Sequence, residues 1–137
     1  MFKQIMVPVD LAHTGELGKS LTVASDLSKQ YGAPVCYVGV ATSQPSEVAH
    51  NLDEYEQKLS AFAEQQAAKN GHTASARTFV GHDPVADLDD VLLRAVDEVG
   101  ADLVVMASHV PSLVDYLWPS NGGKIAAHSK AAVFVVR

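Results

Sequence analysis

Cysteine is almost absent from this chain of 137 residues. Its single cysteine, Cys36, cannot form an internal disulfide, which is typical of a protein from a reducing compartment. Cys36 lies in the apolar run VCYVGV, residues 35–40. We therefore expect a buried core thiol rather than a reactive one, since a reactive thiol needs an exposed, electropositive setting.

Basic clusters and long apolar runs are also missing. The chain has 10 Lys and Arg against 16 Asp and Glu, a formal net charge of −6, which disfavours a surface for nucleic acid or for an anionic membrane. No apolar stretch approaches the length of a membrane span, and the start MFKQIMVPVD lacks the features of a signal peptide. We therefore expect a cytoplasmic protein without nucleic-acid or membrane partners, folded as one domain over residues 1–137.

Five short runs with the length of strands recur along the chain. All but the third are almost continuously apolar, which is typical of parallel strands buried on both faces of a sheet. The runs are residues 5–9, 34–40, 74–80, 102–107 and 131–136.

Helical spacing of apolar residues fills the intervals between these runs. In the third interval, Asp83 is predicted as the N-cap with Pro84 at the first helical position, and Gly100 ends the helix. The second interval carries the clearest amphipathic stripe, which we interpret as core packing. The predicted helical faces are residues 17–31, 48–66 and 85–99, and a fourth helix runs from Pro119 or Ser120 to Ser129.

Regular alternation of strands and helices predicts an α/β fold. Short connections imply a doubly wound parallel sheet with right-handed crossovers and helices on both faces. In such sheets, ligands bind outside the carboxyl ends of the strands, where the winding direction reverses. Residues predicted at these ends are Asp10, residues 41–43, residues 81–83, Ser108 and His109.

Five separated stretches form a pattern that extends over essentially the whole chain. They are IMVPVD (5–10), YVGV (37–40), GHDP (81–84), GADLVVMASH (100–109) and HSKAAVFVVR (128–137). In this order and spacing, they resemble the universal stress protein family. The resemblance implies a flavodoxin-like, adenine-nucleotide alpha hydrolase-like sheet of five strands in the order 3-2-1-4-5. It also implies a stress-response regulatory protein that binds an adenine nucleotide.

The resemblance implies a nucleotide site at the switch point between strands one and four. In members that bind ATP or AMP, the residue matched by Asp10 and the backbone near Val40 meet the adenine. A motif G-x2-G-x9-G-[ST] wraps the ribose and phosphates in those members. The residues that the resemblance carries over as nucleotide-binding are Pro8, Asp10, Val40, Gly81, Ala107, Ser108, His109, Val110, Ser120, Asn121 and Gly122.

The three motif glycines are replaced in this chain. They fall on Ala107, Val110 and Pro119, and the motif hydroxyl falls on Ser120, after a loop one residue shorter than usual. The chain is most similar to a sub-type that shares the strand end ASH-x-P, the shortened loop and an SN helix start. That sub-type keeps Gly where this chain has Pro119.

Few basic side chains are available near the predicted phosphate position. Backbone N–H groups at a helix N-terminus hold a phosphate without a basic side chain, and residues 120–123 still supply them. No Lys or Arg occurs between Arg94 and Lys124, so three phosphates would need Mg²⁺, Lys124 or histidines for neutralisation. We therefore expect AMP or weak ATP binding. The alternative is a pocket that has lost nucleotide binding.

Catalysis is less favoured than binding. The chain has neither a P-loop GxxxxGK[ST] nor a GxSxG nucleophile elbow. A triad of Asp10, Ser108 and His109 is disfavoured because adjacent residues at a strand end point to opposite sides. Slow ATP hydrolysis at the same crevice is a third alternative.

The histidines do not form a metal motif. His13, His82 and His109 are predicted near the carboxyl edge of the sheet, but they lack the tight spacing of a strong metal site. We interpret them as surface loop residues. His50 and His72 are predicted to be exposed in a helix or turn.

Two apolar segments bear on protein partners. The loop of residues 113–118 contains four large apolar side chains and is interpreted as a lid, a partner surface or local packing. A partner surface there gives the main alternative function, a nucleotide-free dimeric adaptor that acts on a client protein. In the family the last strand pairs with its counterpart in a second subunit, so we expect a homodimer through residues 131–136 by analogy.

Overall fold

The computed structural model describes residues 1–42, 44–82, 87–108 and 121–137, with only the backbone described at 121 and 122. Within these ranges the chain forms five strands, four α-helices and one short 3-10 helix. In chain order they are β1 (Ile5–Pro8), the 3-10 helix (Leu11–Glu16), α1 (Gly18–Tyr31), β2 (Val35–Ala41), α2 (Leu52–Asn70), β3 (Ala74–Val80), α3 (Leu88–Val99), β4 (Leu103–Ala107), α4 (Asn121–His128) and β5 (Ala132–Val136).

The five strands form one parallel sheet in the order β3-β2-β1-β4-β5. The predicted α/β fold and strand order are confirmed. The central strand, β1, lies between β2 and β4, with Ile5 opposite both Val35 and Leu103. The chain therefore winds outward from β1 in both directions, and the winding reverses between β1 and β4.

Two apolar cores lie on opposite faces of the sheet. Ile5 and Val7 of β1 pack in the core that α1 and α2 cover, while Met6 packs in the core that α3 and α4 cover. This alternation follows from the period of two along a strand. Cys36 is buried in the second core, which confirms the predicted core position, and burial raises the pKa of its thiol.

One helix boundary differs from the prediction, and one short element was not predicted. The second helix begins at Leu52, not near Val48, because Asn51 is its N-cap and accepts a hydrogen bond from the Glu54 N–H at 2.9 Å. The stretch before Asn51 is not helical. A further element, the 3-10 helix after β1, was not predicted from the sequence.

The starts of the last two helices were predicted on residues that lie outside the described ones. Asp83 and Pro84, predicted to begin the third helix, lie outside the described residues. The described part of α3 begins at Leu88. Gly100 ends α3 in the left-handed conformation at φ 71°, as predicted. Pro119 and Ser120 are also outside, and α4 begins at Asn121. Across the described part of the chain, no helix combines the length and the hydropathy needed to cross a membrane.

His72 is buried, so its predicted exposure is wrong. Only 9% of the residue is exposed, and its Nε2 lies 3.0 Å from the Tyr37 hydroxyl. Burial lowers the pKa of His72, and the positive charge of Lys29 lowers it further, which favours the neutral imidazole. His50 is exposed, as predicted.

Candidate functional site

A cavity of about 230 Å³ lies at the carboxyl edge of the sheet, beside the ends of β1 and β2 and the start of α2. This volume is below the roughly 300–1,000 Å³ of pockets for drug-sized ligands, so it fits a single ring system better than a larger molecule. The described residues of its wall are Val9, Asp10, Leu11, Ala12, Val40, Ala41, Thr42, Gln44, Ser46, Val48, Ala49, Asn51, Tyr55 and Leu88.

Asp10 supplies the negative charge of the cavity wall. It follows β1 directly and is the N-cap of the 3-10 helix, where its Oδ1 accepts a hydrogen bond from the Ala12 N–H at 3.0 Å. Its Oδ2 lies 2.9 Å from Nδ1 of His13. Only 18% of the Asp10 side chain is exposed. These contacts fix the carboxylate while leaving each oxygen a lone pair for a ligand.

The ends of β1 and β2 form an apolar wall next to Asp10. Val9 donates its N–H to the Val38 carbonyl at 2.8 Å, which extends the pairing of the two strands up to the cavity. Val40 and Ala41 line the cavity from β2, and Leu88 adds a side chain from α3. A flat ring can therefore contact apolar atoms while one polar edge faces the carboxylate.

Tyr55 reaches the cavity from the first turn of α2. The residue is 8% exposed, and its ring lies directly over Gly39 of β2, where a Cβ atom would come within 2.8 Å of Tyr55 Cε1. Gly39 is therefore what allows the ring to approach the strand. Burial raises the pKa of Tyr55, and the charge of Asp10 adds to this effect, so the hydroxyl stays protonated.

The segment before α2 forms the outer wall of the cavity; we call residues 44–51 the wall segment. It is closed by a hydrogen bond from the Ser46 N–H to the Ala49 carbonyl at 2.8 Å. Lys58 donates from its ammonium group to the Val48 carbonyl. The wall segment is thus bonded within itself and to α2.

Of the residues that the resemblance assigned to the site, Asp10 and Val40 meet at the cavity. Pro8 is the last residue of β1 and is buried beside β2, opposite Val38. Gly81 is also buried, and its N–H donates to the Ala41 carbonyl at 2.9 Å. Neither Pro8 nor Gly81 belongs to the described cavity wall.

Four of the remaining assigned residues lie at the end of β4 and the start of α4. Ala107 ends β4, and the Ser108 N–H donates to the Val136 carbonyl of β5 at 2.8 Å, so neither belongs to the described cavity wall. Asn121 and Gly122 are the first two residues of α4. The assigned residues His109, Val110 and Ser120, together with Pro119 and the loop of residues 113–118, lie outside the described residues.

Lys124 is not free for a phosphate. Its ammonium nitrogen lies 2.6 Å from Oδ2 of Asp89, so α4 is linked to the first turn of α3. The hydrogen bond to Asp89 raises the pKa of Lys124. Lys124 was one of three groups considered for neutralising a triphosphate, and its charge is already paired.

The histidines near this edge do not converge in the described structure. His13 contacts Asp10, while His82 is exposed after β3. Within the ranges that the structure covers, no three His, Cys, Asp or Glu side chains are grouped closely enough to hold a metal ion. His109, the third histidine predicted near this edge, lies outside those ranges.

Sequence comparison identifies relatives over the full length of the chain. The sequence model of the Universal stress protein family matches residues 1–137. Universal stress protein G from Salmonella typhimurium is 28% identical to this chain over 150 residues, and the match covers 100% of both proteins.

Solved structures share the fold at lower sequence identity. A universal stress protein from Archaeoglobus fulgidus, solved in complex with dAMP, has a TM-score of 0.68 and 18% identity, over 98% of each chain. A universal stress protein family protein from Arabidopsis thaliana, solved with AMP bound, has a TM-score of 0.64 and 15% identity, over 98% of this chain and 90% of that one.

Proposed function

The chain belongs to the universal stress protein family, and from this premise we propose that it is a stress-response regulatory protein that binds an adenine nucleotide, AMP or weakly held ATP. The observation that carries the proposal is the cavity at the carboxyl edge, where the fixed carboxylate of Asp10 stands beside an apolar wall. Ligands of doubly wound sheets bind at this edge.

The chemistry of the cavity fits an adenine base. The exocyclic amino group of adenine is a hydrogen-bond donor, and an ionised carboxylate such as Asp10 only accepts. The ring faces of the base are apolar and can pack against Val40 and Ala41, which line the cavity. The volume of about 230 Å³ accommodates a base, with ribose and phosphate directed outward.

The charges near α4 favour a monophosphate. The N-terminus of a helix offers unpaired N–H groups to an anion, and Asn121 and Gly122 supply backbone of this kind. Lys124 is paired with Asp89, so it adds little positive charge for further phosphates. ATP would then need Mg²⁺ to neutralise its triphosphate. The dAMP and AMP complexes of the structural neighbours support this preference.

Calorimetric titration tests the proposal. AMP, ADP and ATP, each with and without Mg²⁺, are titrated into the protein, after mass spectrometry of small molecules released from a gently purified sample. We expect micromolar AMP binding and weaker ATP binding that improves with Mg²⁺. No released nucleotide and no heat up to millimolar concentrations would contradict the proposal.

A single-atom substitution assigns the binding to the cavity. Asp10→Asn keeps an oxygen that can cap the 3-10 helix but removes the charge, so AMP affinity should fall roughly ten- to hundredfold. Asp102→Asn is the matched control, because Asp102 also accepts backbone hydrogen bonds, from Lys3 and Gln4, but at the opposite edge of the sheet. It should leave AMP affinity unchanged.

We also infer a homodimer through the last strand. Phe134 and Val135 of β5 are 45% and 43% exposed, and β5 is an edge strand of the sheet. Exposed apolar edge strands favour pairing with a second chain. Sedimentation equilibrium tests this inference, and a monomer at high micromolar concentration would contradict it.

A further inference from the structure

The hydroxyl group of Tyr55 lacks a partner in the described structure. Buried tyrosines usually satisfy their hydroxyl with a hydrogen bond. Tyr37 does so through His72, at 3.0 Å. Among the described residues, none bonds to the Tyr55 hydroxyl, although Tyr55 is only 8% exposed and lines the cavity. Because Tyr55 lines the cavity and no described residue bonds to its hydroxyl, that hydroxyl is available to a group bound there.

Two different polar groups border the same cavity. Asp10 presents a carboxylate, which only accepts hydrogen bonds, whereas Tyr55 presents a protonated hydroxyl, which can donate. A ligand edge that satisfies both must carry a donor near an acceptor. The amino group and the adjacent ring nitrogen of adenine form such an edge, while hypoxanthine would place a carbonyl against the carboxylate.

We propose that Tyr55 is a specificity-determining residue, whose hydroxyl donates a hydrogen bond to a ring nitrogen of the purine while Asp10 accepts one from the exocyclic amino group. This inference rests on the proposed nucleotide binding and adds a second residue that recognises the base. Tyr55 comes from α2, a helix that the resemblance did not assign to the site.

Gly39 positions the hydroxyl for this role. The ring of Tyr55 lies so close to β2 that any side chain at Gly39 would displace it. Displacement of the ring would change where the hydroxyl lies relative to Asp10, and hydrogen bonds tolerate only small changes in distance. The pair Gly39 and Tyr55 thus acts as one unit.

Titration of base-modified nucleotides into wild type and Tyr55→Phe tests the proposal. The probes are AMP, IMP and the 1-deaza, 3-deaza and 7-deaza analogues of AMP, each of which replaces one ring nitrogen by carbon. In wild type we expect AMP to bind more tightly than IMP, and one deaza analogue to bind roughly three- to tenfold more weakly than AMP. Tyr55→Phe should weaken AMP by the same factor and should bind that deaza analogue as well as it binds AMP.

The control is Tyr37→Phe. It removes the same hydroxyl group from the same layer of the protein, at a residue that does not line the cavity, so its AMP affinity and its ranking of the deaza analogues should match wild type. Unfolding curves confirm that each variant is folded. If Tyr55→Phe does not fold, the analogue series in wild type still decides, because equal binding of all three deaza analogues overturns the proposal.

The two proposals fail in distinguishable ways. Absence of any nucleotide binding by wild type overturns the proposed function and this inference together. AMP binding with the same affinity and the same analogue ranking in wild type and Tyr55→Phe overturns only the role of Tyr55.

Discussion

Tyr37 and Tyr55 lie in the same layer of the molecule, but their hydroxyl groups differ in hydrogen bonding. Both pack in the core between the sheet and α2, at 0% and 8% exposure, and burial raises the pKa of both. The Tyr37 hydroxyl is bonded to His72, while the Tyr55 hydroxyl has no partner among the described residues. The same side chain therefore serves the fold at one place and is available to a ligand at the other.

The contrast shows how a binding site can be recognised inside a core. A buried hydroxyl without a partner costs free energy, about 1–3 kcal/mol, which a protein avoids unless a ligand or water completes the bond. At Tyr37 the cost is removed within the chain. The Tyr55 hydroxyl is not a fully buried atom of this kind but lies at the wall of the cavity. Three comparisons test whether this distinction holds.

The largest change in stability is expected for Gly39→Ala, which disturbs the packing of Tyr55 on β2. The new Cβ would overlap the Tyr55 ring. Overpacking of this kind typically lowers the free energy of unfolding by about 1–3 kcal/mol, which a denaturant titration measures. Gly18→Ala is the control, because a Cβ there meets nothing within 4 Å. If Gly39→Ala is as stable as wild type, the ring is not held against β2.

Restoration by a second change makes this test specific. Replacing Tyr55 by Leu removes the ring atoms that the new Cβ would meet, so Gly39→Ala should cost much less in the Tyr55→Leu background. Equal costs in both backgrounds would mean that the loss arises elsewhere.

A smaller difference is expected between the two Tyr→Phe variants. Tyr37→Phe leaves the buried His72 without its hydrogen bond and should lower the free energy of unfolding by about 1–2 kcal/mol. Tyr55→Phe removes a hydroxyl that bonds to no described residue and should change it by less than about 0.5 kcal/mol in the absence of ligand. Denaturant titrations of both variants without nucleotide measure this, and equal losses would remove the distinction between the two tyrosines.

The smallest effect is expected for the pH dependence of stability that arises from His72, the partner of Tyr37. The folded protein lowers the pKa of His72, so the folded state binds fewer protons than the unfolded state, and stability falls as the pH drops below the unfolded value of about 6.5. His72→Gln should flatten the stability curve below about pH 6.5. His50→Gln, at an exposed histidine, is the control and should not. An unchanged slope in His72→Gln would show that His72 is not the titrating group.

The fold could be predicted because its strands are buried on both faces. Runs such as residues 35–40 and 102–107 are almost continuously apolar, which is typical of strands inside a parallel sheet. The order of the strands was predicted from the family resemblance. The 3-10 helix at Leu11–Glu16 escaped because so short an element has no periodic pattern. The start of α2 was placed too early because the apolar stripe extends to Val48, whereas the cap at Asn51 decides where the helix begins.

The candidate site was only partly predictable. Asp10 and Val40 were assigned through the resemblance, and both line the cavity. Tyr55 was interpreted as core packing, which is correct for its ring but misses its hydroxyl. The signal that could have revealed it is Gly39, a glycine inside an otherwise apolar strand, which marks the close approach of another group. The predicted exposure of His72 was wrong because its burial depends on a contact with Tyr37, which is distant in the sequence.

The bonded wall segment has a consequence for the rate of binding. Residues 44–51 are held by the Ser46 turn and by the contact of Lys58 with Val48. A segment that is bonded in this way would lose little further chain entropy if the proposed nucleotide bound against it. Ordering of the wall segment should therefore add no slow phase to the association kinetics.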